Sequence, residues 1–296
     1  MKNQYDVIII GGGPSGLSAA LTLARGRRNI LIFDDQNPRN IRAKHMQNFP
    51  SHDGLSPTEF KKLVIDDLKR YPNVHFENAR VDNLKIENNF KVTANNKEFY
   101  ARKIMLAHGM RDLMLPIPGF EQLWGRSIFQ CPYCHGYELQ NLPLGLVGGA
   151  MMAKHMTPIL KGLTDDLVLF TDGEKIEDKE IIEKNGVKIY EEKIVELQAL
   201  GESLKAVKLS NGTIVERNYL FLKVPQIFTT DIATKIGCAV TEHGFYVVDE
   251  MYKTTVNGIY AAGDIVTMRQ SVLGACATGQ MAGATINHEL LSEDFS

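Results

Sequence analysis

Thiols, imidazoles and carboxylates are the side chains that carry electrons, hold metals or move protons. In this 296-residue chain they converge most tightly at Gln130-Cys131-Pro132-Tyr133-Cys134-His135-Gly136-Tyr137-Glu138. A two-residue spacer lets two thiols close a small disulfide ring and stabilises one of them as a thiolate. The same string, C-x-x-C-H, is formally a c-type haem attachment pattern, and a cysteine pair can also begin a zinc site. Haem attachment needs an exported chain. Here Met1-Lys2-Asn3-Gln4 leads at once into an apolar run, so no export signal and a cytoplasmic location are expected. Zinc would want two more ligands at short spacing. The remaining cysteines, Cys238 and Cys276, stand alone and read as small core residues. The reading left is a redox-active dithiol/disulfide couple.

The elements that must position such a couple are legible on both sides of it. Tyr5-Asp6-Val7-Ile8-Ile9-Ile10 is a β-branched run typical of a strand buried on both faces. It ends in Gly11-Gly12-Gly13-Pro14-Ser15-Gly16 and passes into the helix-forming Leu17-Ser18-Ala19-Ala20. Gly11, Gly13 and Gly16 occupy the three positions of G-x-G-x-x-G: a tight turn, close approach to a pyrophosphate, and close helix-on-strand packing. A second strand, Asn29-Ile30-Leu31-Ile32-Phe33, ends in Asp34-Asp35. That is about 20 residues on, where an acid can bind a ribose hydroxyl. Near the C-terminus a short strand closes on Gly263-Asp264, followed by a helix of small residues from Gly274 to Ala284 that could lie close to a ligand or backbone.

A second strand–loop–helix–strand unit follows the cysteines. Leu144 to Val147 leads into Gly148-Gly149-Ala150-Met151-Met152-Ala153 and later Leu167-Val168-Leu169-Phe170. Ala150 stands where the fingerprint's second glycine admits a pyrophosphate. The next strand ends in Thr171-Asp172-Gly173-Glu174-Lys175, acidic rather than arginine-rich, so specificity for NADPH is not supported. The fold class expected is α/β: two Rossmann-like, three-layer ββα dinucleotide-binding domains, the second inserted into the first. The boundaries expected are 1–112 with 242–296 for an FAD-binding domain. Residues 113–241 would form an NAD(P)H-binding-like domain carrying the cysteine pair, with crossings at Leu115-Pro116-Ile117-Pro118-Gly119 and Glu242-His243-Gly244.

With these motifs the chain resembles the thioredoxin-reductase family over essentially its whole length. The resemblance implies Asp264 on the FAD ribitol, with Arg269, Gln270 and Ser271 near the flavin ring. It implies a flavin-side loop at Met46-Gln47-Asn48-Phe49-Pro50 and an exit segment at Leu106-Ala107-His108-Gly109, where His108 replaces the usual threonine. Ser15, Asn48, Val81, Ala107 and Gly109 join the expected FAD contacts. Cys134 becomes the flavin-side thiol and Cys131 the interchange thiol. His135 stands where classical members carry aspartate. Imidazole titrates near pH 6.5, so His135 is the favoured acid/base of the set Cys131, Cys134 and His135.

The string Cys-Pro-Tyr-Cys-His-Gly-Tyr-Glu resembles a branch holding atypical bacterial thioredoxin reductases and dithiol oxidases of the gliotoxin and holomycin type. The expected activity is disulfide oxidoreduction with FAD, a thioredoxin-like protein or small dithiol/disulfide as partner, and an electron donor left open among NADPH, NADH and ferredoxin. Dithiol oxidation with oxygen as acceptor is an alternative, and a flavin-binding regulatory protein is the non-enzyme alternative. A homodimer is implied by resemblance. The formal charge of −2 and the lack of long basic runs argue against a nucleic-acid partner, and no apolar stretch is long enough for a membrane helix.

Overall fold

The computed structural model describes residues 3–177 and 179–296; Met1-Lys2, on which the expectation about export partly rests, lies outside the described residues. Elements are numbered along the chain. It divides into two compact units, one of Met1–Ile41, Ser56–Arg111 and Gln226–Ser296, the other of Arg42–Leu55 and Asp112–Pro225.

The first unit holds β1 (Gln4–Ile10), α1 (Pro14–Arg25), β2 (Ile30–Phe33), α2 (Pro57–Leu68), β3 (Val74–Glu77), β4 (Asn83–Ile86), β5 (Phe90–Ala94) and β6 (Lys97–Leu106). After the crossing strand β7 (Met110–Asp112) and the second unit, β16 (Gln226–Phe228), α7 (Ile232–Lys235), β17 (Ile259–Ala261) and α8 (Val272–Phe295) complete it. Its sheet runs β3-β2-β1-β6-β5-β4, with β17 also on β6. The β1, β2, β3, β6 and β17 pairings are parallel, whereas β4-β5-β6 is an antiparallel meander. The β5–β6 turn is Asn95-Asn96, both at positive φ, the turn that suits the right-handed twist of a two-residue hairpin. Alternation along β1 splits the core: Val7 and Ile9 face α1 and α8, while Ile8 and Ile10 face the opposite cluster with Val92, Phe99 and Tyr246. The small-residue helix is α8. It lies on α1, where a Cβ on Gly283 would come within 2.9 Å of the Ala19 carbonyl.

The second unit repeats the scheme. After α3 (Phe120–Leu123), β8 (Ile128–Phe129) and α4 (Pro132–His135) come β9 (Leu144–Val147), α5 (Ala150–Lys161), β10 (Leu167–Phe170), α6 (Lys179–Lys184) and β11 (Lys188–Tyr190). An antiparallel β12 (Ile194–Leu200), β13 (Ser203–Leu209) and β14 (Ile214–Glu216) precede β15 (Tyr219–Phe221). The parallel sheet is ordered β11-β10-β9-β15-β8. Leu167 and Leu169 pack toward α5, Val168 and Phe170 toward the antiparallel layer.

Two boundaries differ from those expected. Residues 226–241 belong with the first unit, because Ile232, Ala233 and Cys238 fill the cluster around Ile8 and Ile104. Residues 42–55 group with the second unit. Among the described residues no helix is long and apolar enough to cross a membrane.

Candidate active site

In the second unit, β8 hands the chain to Cys131, which caps α4, with Pro132 pre-set at the first helical position. Cys131 and Cys134 are joined as a disulfide with Cα atoms 5.3 Å apart. Gly136 is needed behind them: a Cβ there would strike the Pro132 carbonyl and come within 2.5 Å of Leu163 Cδ1. His135 is half-buried and stacks on Phe129, ring centroids 4.2 Å apart and planes 14° apart. Its Nδ1 is buried with no hydrogen-bond partner among the described residues. Burial lowers its proton affinity below the ordinary histidine range, outweighing the Glu138 charge and the Cys131 backbone hydrogen bond that raise it. His135 is therefore a neutral imidazole near pH 7, able to take a proton from a dithiol. Tyr133 and Tyr137 beside it are exposed.

In the first unit, the α1 N-terminus forms a cradle. Gly11 has φ +115°, and a Cβ on it would meet the Ala107 carbonyl group and come within 2.7 Å of His108 N. Gly16 likewise presses on Gly11. Gly13 caps α1 and opens onto free space, with nothing within 4 Å of a built Cβ. Gly109, at φ +73°, is equally open. The Ser15 hydroxyl is buried and unpartnered beside Gly263, while the Ser15 backbone packs on Gly279. A helix N-terminus with an orphaned hydroxyl and open glycines fits a dinucleotide's phosphates.

Around that cradle, Asp34 lies against Gly12, held by Lys61 and by Gln36 Nε2 at 2.8 Å, while Asp35 is exposed. Asp264 accepts from Arg39 at 2.9 Å. Arg39 also donates to Gln270 Oε1 at 2.5 Å, and Gln270 Nε2 reaches the Asp264 carbonyl at 3.2 Å. Arg39 has no local signature and was missed in the sequence; its partner lies 225 residues away.

A family model described as pyridine nucleotide-disulphide oxidoreductase matches residues 5–283. This chain belongs to that family. Thioredoxin reductase sirT of Leptosphaeria maculans is 31% identical over 99% of this chain and 96% of its own length. The solved structure of a putative thioredoxin reductase TrxB from Bacillus anthracis superposes with TM-score 0.94 at 29% identity, covering 98% and 99% of the two chains. That of HlmI does so at 0.93 and 31%, covering 100% and 95%. The protein is a flavin-dependent, thioredoxin-reductase-like disulfide oxidoreductase.

Other residues expected in this pyridine nucleotide-disulphide oxidoreductase fall into place unevenly. Val81 is buried in the first unit's core, and Ala107 is fixed by its N–H bond to Ile10 at 2.8 Å. Ser271 caps α8, accepting from Gly274 N at 3.0 Å, and Arg269 is exposed. Asn48, at φ +64°, is exposed in the 42–55 segment and so sits in the unit that carries the cysteines. Gln47 beside it donates to Glu138 at 2.8 Å, tying this loop to the redox segment. His108 is a packed residue: edge-on to Phe228 and Tyr246, it is pushed down to about 4 by burial. Burial raises the thiols of Cys238 and Cys276, which keeps them protonated. Among the described residues no group of three or more His, Cys, Asp or Glu could hold a metal.

Proposed function

We propose that FAD is the flavin of this protein and that it is held in the first unit by the Gly11, Gly13, Ser15 and Gly16 cradle. In this reading Asp34 and Asp35 serve a ribose, Asn48 and Val81 make further contacts, and Ala107 and Gly109 form a wall. Gly263, Asp264, Arg269, Gln270 and Ser271 complete the set. When bound, the flavin supplies a two-electron reductant or oxidant for the Cys131/Cys134 pair. The reductive direction is proposed, with a thioredoxin-like protein or a small-molecule disulfide as substrate. The observation that carries it is the Cys131–Cys134 disulfide beside a neutral, half-buried His135.

The chemistry of the protein's own residues follows. In the reduced protein Cys131, as thiolate, attacks one sulfur of the substrate disulfide, forming a mixed disulfide and expelling the first substrate thiolate. The Cys134 thiol gives its proton to His135, whose imidazolium passes it to that departing thiolate. Cys134 then attacks the Cys131 sulfur, releasing the second thiolate, which takes a proton from water, and closing the Cys131–Cys134 disulfide. With a flavin bound, two electrons from it and one proton would return the disulfide to the Cys131 thiolate and Cys134 thiol. Replacing Cys131 by serine and assaying disulfide reduction with retained flavin tests the assignment; undiminished turnover overturns it.

A second reading runs the same exchange backwards as a dithiol oxidase, the flavin being drained to oxygen. It is favoured by Ala150 and the acidic 171–175 segment, where neither a second fingerprint glycine nor an arginine cluster is present. Oxygen uptake driven by a dithiol, without added nucleotide, separates the two. In the reductive reading the electron donor is one of NADH, NADPH and ferredoxin, and a homodimer and a cytoplasmic location complete the proposal.

A further inference from the structure

The helical path that carries the cysteines does not stop at His135. From α4 it runs through Gly136, whose φ of −77° and ψ of −32° are helical, into a one-turn 3-10 helix at Tyr137–Leu139. The hydrogen bonds continue with it: Gly136 N donates to the Pro132 carbonyl at 2.7 Å and Leu139 N to the Gly136 carbonyl at 3.0 Å. On such a path residues three apart share a face, their Cβ atoms about 5–6 Å apart. Glu138 therefore stands on the His135 side of the turn, and it is the one charged side chain among the described residues that shifts the imidazole, the other influences being burial and the Cys131 backbone. Tyr133 and Tyr137 occupy the opposite face and are exposed.

An exposed carboxylate usually does little for a neighbour, because its side chain samples many rotamers and water screens its charge. Glu138 is exposed, but its orientation is fixed from outside the turn: Gln47 Nε2 donates to its Oε1 at 2.8 Å, from 91 residues away in the chain. The loop presenting Gln47 is itself closed. Met46 is buried, Met46 N donates to the Leu55 carbonyl at 2.8 Å, Gly54 N to the Met46 carbonyl at 2.9 Å, and Asn48 N to Asp53 Oδ1 at 2.6 Å. Loop and redox turn belong to the same compact unit. What the carboxylate faces is a ring that changes charge. Neutral His135 needs no counterion, but once it takes the Cys134 proton it is a cation stacked on Phe129 with a buried Nδ1 that lacks a hydrogen-bond partner among the described residues. A charge formed in so apolar a place is costly unless an opposite charge stands by it.

We propose that Glu138, held by Gln47, is a positioning residue of the thiol–disulfide exchange: its carboxylate stabilises the His135 imidazolium that exists between removal of the Cys134 proton and delivery of that proton to the departing thiolate. Thiol, imidazole and carboxylate then stand in the order of a nucleophile, its base and the acid that supports the base. Glu138 itself takes no proton and forms no bond to sulfur. The assignment rests on the proposed exchange chemistry of Cys131, Cys134 and His135.

Glu138→Gln tests it, because glutamine can still accept from Gln47 and only the charge is lost. In the flavin-loaded protein, exchange with a small disulfide should slow about two- to fivefold, the factor that one screened charge pair gives. Its acid break should also move to lower pH: the Glu138 charge raises the proton affinity of the ring, so without it the ring protonates only in more acid buffer. Gln47→Leu should change both quantities in the same directions by less, and should change neither further in the Glu138→Gln background, since it acts through that charge. Glu138 is exposed, so Glu138→Gln should keep the wild-type melting temperature and flavin absorbance. A wild-type rate and break in Glu138→Gln, a slower rate with the break unmoved, or a Gln47→Leu effect that persists in full once the charge is gone overturns the proposal. Any of these beside a slow His135→Ala leaves the cysteine chemistry standing, whereas undiminished turnover in Cys131→Ser would sink that chemistry itself.

Discussion

The imidazole of His135 lies flat on the ring of Phe129, 4.2 Å between centroids, and this contact makes the histidine a base rather than a resident cation. Phe129 is itself buried at the end of β8, so the imidazole is desolvated by a fixed apolar wall one turn from the disulfide. A histidine whose proton affinity is lowered stays neutral below pH 6.5. Thiol–disulfide exchange should therefore be flat through pH 6.5 and fall only in more acid buffer. Stopped-flow exchange with a small disulfide measures this. Phe129→Ala, which opens the ring to water, should move the break up toward 6.5; an unmoved break would remove Phe129 from the mechanism.

His135→Ala should slow exchange by about 10²–10⁴-fold, the usual size of a lost acid/base group, with flavin content unchanged. His135→Gln, similar in size but unable to carry the proton, should be equally slow. A Gln variant as fast as wild type would reduce His135 to packing.

Cys131→Ser and Cys134→Ser should each abolish dithiol turnover, leaving the FAD absorbance of the purified protein intact, because both cysteines lie outside the unit proposed to hold the flavin. Thiol titration should find Cys238, which is buried, and Cys276, which is half-buried, both with raised proton affinity, far slower to react than Cys131 and Cys134 in the reduced protein.

Asp264→Asn should weaken flavin retention by about 1.5–3 kcal/mol, the scale of a hydrogen bond to a charged group. The loss includes the Arg39 pair that fixes Gln270. Flavin fluorescence released on dilution reads it. Arg39→Ala should give a similar loss, and the double variant less than the sum, since the two residues share one contact.

Stability should depend on acid through His108. Its folded value of about 4 lies below the unfolded 6.5, so the unfolded chain binds the extra proton as pH falls. Stability is complete above pH 6.5 and declines by about 3 kcal/mol as pH drops toward 4. Urea melts of His108→Phe should lack that decline. In the same unit, Gly279→Val should destabilise by about 1–3 kcal/mol, because its side chain would enter the Ser15 backbone where α8 crosses α1, 2.7 Å from the carbonyl carbon.

Local pattern was enough for several parts of this molecule. The β-branched run 5–10 with its glycine loop, the Asn95-Asn96 hairpin, the repeated strand–loop–helix and the spacing of Cys131 and Cys134 are all properties of near neighbours in the chain, and period and turn chemistry encode them directly. So was the family.

Packing between distant segments decided the rest. Residues 226–241 look like the tail of the second unit in sequence, but Ile232, Ala233 and Cys238 bury against Ile8 and Ile104, and burial sets the boundary. Arg39 carries no motif and acquires meaning only from Asp264, 225 residues on. His135 was readable as an acid/base from its place after Cys134, yet its neutral state comes from Phe129. Gln47 was readable as part of a flavin-side loop, and only the fold brings its amide onto Glu138. Which chemistry is present is written in residue types and spacing; which charge state and which free volume each group receives depends on desolvation and contact, and these exist only once the chain has closed on itself.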